Sequence, residues 1–228
     1  MHTANVLIVA LLVVSQLPGS TPATHGGESG VLRRREFLTA LRGFPTQHDD
    51  LVVANFEGDK AEATAGLSLW PYTDEQFGGT SDARITMIHP GAAGSKGAVR
   101  ISFRVTDDSP MPFAGAWAMI GPEGLATDVS AYRGVHFYAR SKDQMSFTCG
   151  IISFLGQVRR YVGPFEVGPE WTRIEVPFDK FVLVAMPGQT APDAPRLDPR
   201  NVTSIGVSVA PRLRGQFKID IDQLALYR

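Results

Sequence analysis

The stretch Gly134-Val-His-Phe-Tyr-Ala-Arg140 sets Val135, Phe137 and Ala139 against His136, Tyr138 and Arg140. A period of two marks a strand with one face buried and the other wet. Ala98–Val105 repeats the pattern, with Ile101, Phe103 and Val105 against Arg100, Ser102 and Arg104. Further runs of strand character are Leu51–Phe56, Arg84–Ile88, Phe113–Ile120 and Met145–Ser153, then Arg159–Val167, Trp171–Val176, Val202–Ala210 and Gln216–Tyr227. Turn-rich pieces such as Asp107-Asp-Ser-Pro110, Gly121-Pro-Glu-Gly124 and Gly168-Pro169 separate them. The sequence therefore predicts an all-β sandwich or barrel of about ten strands, without helices between them. Pro187–Pro199 is Pro-rich and polar, and reads as a long surface crossover.

Composition narrows the function. The 228 residues suit one domain of ordinary size with a substantial core. The formal net charge of −1 gives no basic field to hold nucleic acid. The single cysteine, Cys149, permits neither an intrachain disulfide nor a Cys-based zinc site. It sits in the apolar run Met145–Ile152 and reads as a small buried hydrophobe.

The N-terminus reads as an export signal over residues 1–23. Val6–Leu17 is apolar except for Ser15 and Gln16, which suits a signal-peptide core and is short for a bilayer span. Pro18-Gly19-Ser20 breaks it, and Thr21-Pro22-Ala23 supplies small residues for cleavage. Residues 24–48 read as a linker with a short amphipathic helix over Val31–Leu41, and 49–228 as the folded domain. Arg34-Arg35-Glu36-Phe37-Leu38 looks like a twin-arginine motif, but no apolar run follows it. The expectation is an exported protein, periplasmic or extracellular, with no stable membrane span after processing.

Alternation also assigns faces. His136/Tyr138/Arg140, Arg173/Glu175, Arg100/Ser102/Arg104, Ser146/Thr148 and Lys218/Asp220 are the outward sets. On neighbouring strands they would form a polar sheet face. His136, Tyr138, Arg140, Arg173 and Glu175 are the candidate ligand-binding residues. Rings that stack on sugars and forked donors for hydroxyls would make such a face a glycan groove. An ordinary solvated face carries the same pattern.

Longer motifs point to a family. Trp70-Pro-Tyr-Thr-Asp74-Glu-Gln-Phe-Gly78-Gly79-Thr-Ser81 has a Trp, an Asp four residues on, a glycine pair and a Ser. Asn55-Phe-Glu57 looks like an opening strand. Asp128-Val-Ser130-Ala-Tyr132-Arg-Gly134 leads into a central strand. Trp171 precedes Val176-Pro177-Phe178 and Phe181, and the chain closes on Leu197-Asp198-Pro199, Ile205-Gly206 and Ile219-Asp220-Ile221-Asp222. Over about Val52–Tyr227 this order resembles the complex I intermediate-associated protein family. Two departures stand out: Phe77 occupies a usual Met position, and Met186-Pro187-Gly188 replaces a Phe-Arg-Gly piece. Ser109–Ser153 looks equally like a carbohydrate-binding module. The resemblance implies a galactose-binding-like jelly roll and a non-catalytic role. That role is binding or assembly with a protein partner; the alternative is an exported carbohydrate-binding module.

For the signature itself a structural role is expected. Gly78 and Gly79 suit a tight turn, Asp74 would cap its amides, and Trp70 and Phe77 would pack beneath. Modules of this class also suggest a structural Ca²⁺ between first and last strands, with Glu57, Asp59 and Asp222 as hard oxygen ligands. No cofactor is required. The five His residues show no metal-binding spacing. No Gly-x-Ser-x-Gly elbow exists, and Glu175 with Asp220 is only a conceivable carboxylate pair for glycoside hydrolysis. No enzymatic activity is expected.

Overall fold

A computed structural model describes residues 50–61, 69–121, 125–184, 195–210 and 213–228. The segments read as signal peptide and linker, and much of the Pro187–Pro199 crossover, lie outside the described residues. Twelve strands follow in order: β1 (Leu51–Ala54), β2 (Trp70–Thr73), β3 (Asp82–Ile88), β4 (Ala98–Val105), β5 (Ala114–Met119), β6 (Gly134–Arg140), β7 (Met145–Phe154), β8 (Val158–Val167), β9 (Thr172–Pro177), β10 (Val182–Leu183), β11 (Val202–Val209) and β12 (Gly215–Tyr227). The two beyond the expected ten are edge strands. β2 contains Pro71, which an edge tolerates because its missing N–H costs no ladder bond. β10 has two residues, too few to show a period.

The strands form two antiparallel sheets. The first runs β3-β4-β12-β6-β9, with β1 pairing the second half of β12. The second runs β10-β8-β7-β11-β5-β2. Their inner faces bury the alternate residues that the sequence pattern assigned inward. Phe103 lies 6.2 Å from Phe147 by ring centroids, and Phe165 lies 5.1 Å from Phe137 and 6.1 Å from Phe147. Val135, Ile151, Ile205 and Ile219 fill the space around them. Such aromatic pairs contribute about 0.5–1.5 kcal/mol beyond their buried area. Cys149 is fully buried in this layer, and burial alone pushes its thiol far above the usual range.

The Trp70–Ser81 stretch links the sheets. Asp74 opens a 3-10 turn over Asp74–Phe77 and is fully buried. Its carboxylate accepts from Ser81 N at 3.1 Å, Ser81 Oγ at 2.8 Å and Phe113 N at 3.3 Å. Gly78 takes φ 80°, the left-handed conformation that favours glycine. A Cβ on Gly79 would fall 2.4 Å from the Asp74 carboxyl carbon, so this position has no room for a side chain. Asp74 thus caps amides as expected, and Phe77 packs edge-on against Phe113. Trp70 does not pack beneath the turn: strand pairing with β5 carries it to the outer face of the second sheet, opposite Trp117.

Candidate binding site

The first sheet brings His136, Tyr138, Arg140, Arg173 and Glu175 onto one outer face, whereas Ser146 and Thr148, expected beside them, lie on β7 in the second sheet. Tyr138 pairs with Arg173, His136 with Glu175, Asp220 with Arg140, and Asp222 with Tyr138. The charges on this face largely satisfy one another. Buried Asp220 accepts from Arg100 Nε at 2.7 Å and Nη2 at 2.9 Å, and from Arg140 Nε at 2.9 Å. Arg140 also lies 4.5 Å above the Trp171 ring. Arg173 pairs with Glu175 at 2.6 Å. His136 Nε2 lies 3.0 Å from Asp50 Oδ2. Burial first, and the nearby Arg173 cation second, lower the His136 pKa. Most donors and acceptors on this face meet each other, although His136 Nδ1 is buried without a partner among the described residues. Glu175 and Asp220 stand two strands and four residues apart, about 16 Å at the backbone.

The expected calcium ligands divide. Asp222 Oδ2 accepts from Ala92 N at 2.8 Å and Ser95 Oγ at 2.7 Å, and Oδ1 from Gln223 N at 2.8 Å. Desolvation raises its pKa despite these donors. Glu57 Oε2 accepts from Lys96 N at 3.3 Å, and Asp59 is exposed. N–H and O–H groups aimed at a carboxylate suit the carboxylate rather than a cation beside it. Among the described residues no group of three His, Cys, Asp or Glu side chains could hold a metal. Glu57 lies near enough to Asp222 to raise its pKa further.

The second sheet presents a different outer face. Across it runs one continuous row: Val182, Val162, Gly150, Gly206, Trp117 and Trp70. The two central glycines leave a lane without side chains, and the Trp117 indole lies along it. A Cβ on Gly150 would meet Trp117 Cη2 at 2.3 Å, and one on Gly206 would meet Cδ2 at 2.8 Å. Strand glycines of this kind mark a close approach by another group. Trp117 is fully buried although it points away from the core between the sheets. Tyr72 stands edge-on to it at 6.1 Å and lies 5.0 Å from Phe113.

Arg160 closes this cluster. From β8 it reaches diagonally across β7 to β11, where Nη2 donates to Ser208 Oγ at 3.0 Å. Its guanidinium lies 4.7 Å from the Phe113 ring centre and 5.8 Å from that of Trp117. Ser208 also shares a 2.8 Å hydrogen bond with Thr148. Arg160 Nε and Trp117 Nε1 are buried donors without a partner among the described residues. Burial pulls the guanidinium pKa down, against a small raising effect from Tyr72. Buried polar atoms in folded proteins are nearly always paired, so two orphans on one face require an explanation.

None of the outward residues at this cluster was singled out from the sequence as binding, although Trp70 belongs to the signature. A signal existed. Ser204, Gly206 and Ser208 alternate on β11, and Thr148 and Gly150 on β7, so both strands present small residues to the same side.

Comparison with known proteins agrees with this architecture. The carbohydrate-binding module of family 11 from the cellulosomal cellulase Lic26A-Cel5E of Clostridium thermocellum superposes with a TM-score of 0.58 at 21% identity, over 80% of this chain and 96% of that one. The family 11 module of the same organism in complex with a β-1,3-1,4-mixed-linked tetrasaccharide gives 0.56 at 20% identity, over 76% and 94%. The family 30 module of cellulase Cel9D-Cel44B from that organism gives 0.51 at 13%, over 79% and 94%. These likenesses establish the shared β-sandwich. Among curated protein sequences none matches significantly. The sequence profile of Complex I intermediate-associated protein 30 matches residues 56–221, and the chain belongs to that family.

Proposed function

We propose that this chain is a non-catalytic binding domain that takes a saccharide on the outer face of the second sheet. The observation that carries the reading is the pair of buried donors, Arg160 Nε and Trp117 Nε1, unpartnered among the described residues, within an aromatic cluster on the outer side of the second sheet. Half-buried Tyr72 and Trp70 offer ring surface beside them, the arrangement that stacks on sugar C–H groups. Arg160 supplies the polar group that fixes orientation, anchored by the buried Ser208–Thr148 pair beneath it. Family 11 modules share the sandwich, and one of them is described with a bound tetrasaccharide, which supports the ligand class. A glycan array probed with the full chain tests the proposal. Saturable binding that falls at least tenfold in Tyr72→Ala supports it. Silence across the array, from protein shown to be folded, defeats it.

A protein partner is the second reading, and one observation favours it. Phe154, Leu155 and Val182 are exposed apolar side chains on the β7–β8 hairpin and the β10 edge. Exposed apolar surface of that kind is suited to protein contact. The family name carries the same implication of assembly. A defined partner whose binding is lost in a Phe154→Ser, Leu155→Ser double variant would support this reading over the first.

A further inference from the structure

Resting on the saccharide reading, we propose that the ligand is acidic: a uronate-bearing saccharide whose carboxylate is received by Arg160. The argument begins with charge. A guanidinium carries five N–H donors and stays ionised. Among the described residues, only one hydrogen bond from the Arg160 guanidinium is seen, to the neutral Ser208 hydroxyl. No carboxylate pairs with it among those residues, and the groups around it are Phe113, Trp117 and Tyr72. Glu166 shares its strand and face but sits six residues along, about 20 Å away.

The contrast with the other sheet sharpens the point. There Arg100 and Arg140 share Asp220, and Arg173 has Glu175. Arg160 is half-buried with its Nε enclosed, and has no such counterion among the described residues. Burying a cation without an anion is costly, and the cost is offset when an anion arrives in the complex. The rings stacked against the guanidinium hold it in place by cation–π attraction, so that its fork is already oriented. A planar fork with free N–H groups matches a carboxylate in bidentate fashion. A neutral glycan can use the same donors for hydroxyls, but it leaves the charge unanswered. A sugar acid meets both requirements of the face, with its ring against Tyr72 and Trp70 and its carboxylate on Arg160.

The test is calorimetry on the full chain with oligogalacturonate, glucuronate-substituted xylan fragments and alginate fragments. Each is paired with its carboxyl-reduced counterpart. At least one acidic ligand is expected to bind tenfold or more tightly than its reduced form, and to weaken as salt is raised. Arg160→Gln should abolish that preference, and Arg160→Lys, which keeps charge without the fork, should retain part of it. Equal binding of acidic and reduced forms, or binding of neutral glycans alone, overturns the acidic ligand while leaving the saccharide reading intact. Absence of binding to every glycan, acidic and neutral, overturns both. The comparison between native ligands requires no variant, so misfolding of an Arg160 substitution cannot obscure it.

Discussion

Gly150→Ala probes the packing on which the second-sheet site depends. The added Cβ would lie 2.3 Å from Trp117 Cη2, 3.0 Å from Cζ2 and 3.1 Å from Cζ3. Carbon atoms prefer about 3.5–4.0 Å, so the ring edge must withdraw by more than about 1 Å. It has little room to do so. Gly206 lies under the other ring edge, Tyr72 stands against it, and Gly115 lies near Nε1. Overpacking of this kind costs about 1–3 kcal/mol. With a urea m-value near 2 kcal/mol/M, a cost of about 2 kcal/mol lowers the unfolding midpoint by about 1 M. The assay is equilibrium urea unfolding followed by far-UV circular dichroism. Gly58→Ala is the control, because nothing lies within 4 Å of its added Cβ. That change should remain within about 0.5 kcal/mol of the parent. A Gly150→Ala midpoint equal to the parent's would mean that the indole does not occupy the glycine lane.

Three further outcomes follow from the geometry. Asp74→Ala orphans the three donors that converge on its carboxylate, and should cost about 3 kcal/mol by urea unfolding. His136 is held below its usual pKa by burial and Arg173, so the folded state resists the proton that the unfolded chain accepts. Its contribution to stability is complete above the unfolded His value near pH 6.5 and is lost as pH falls from there to its lower folded value. His136→Gln should remove that component, seen as a shallower midpoint-against-pH curve below about pH 6.5. Cys149 should not react with a thiol reagent in the native protein at pH 8 and should react fully in 6 M guanidinium, because burial excludes reagent and suppresses the thiolate. Prompt native reaction would contradict the core packing.

The sandwich was legible because alternation is a local property. Gly134–Arg140 and Ala98–Val105 each show which side chains face inward, with no knowledge of the neighbours. Much of the turn at Asp74–Ser81 was equally readable, since a glycine pair beside a capping carboxylate has few other uses. Alternation also placed His136, Tyr138 and Arg140 on one outer face, but it could not show which charges meet. That depends on register: Asp220 stands opposite Arg100 on one side and Arg140 on the other, from strands 120 and 80 residues away. Asp220 was read as outward, and register makes it the buried centre of that network. The Arg160–Trp117 cluster was harder to see. Its row joins residues from six strands, and its defining feature is the absence of side chains at Gly150 and Gly206. Neither glycine has meaning until Trp117 is placed between their strands and the β2 edge.

The central claim is that ligand enters on the Arg160–Trp117 face and not on the Tyr138 face. The most direct measurement compares three full-length proteins on one glycan array: the parent, Arg160→Gln and Tyr138→Ala, each confirmed as folded by circular dichroism. The account predicts binding by the parent, the same profile in Tyr138→Ala, and a loss of at least tenfold in Arg160→Gln. Binding that survives in Arg160→Gln and disappears in Tyr138→Ala would contradict it and return the site to the first sheet.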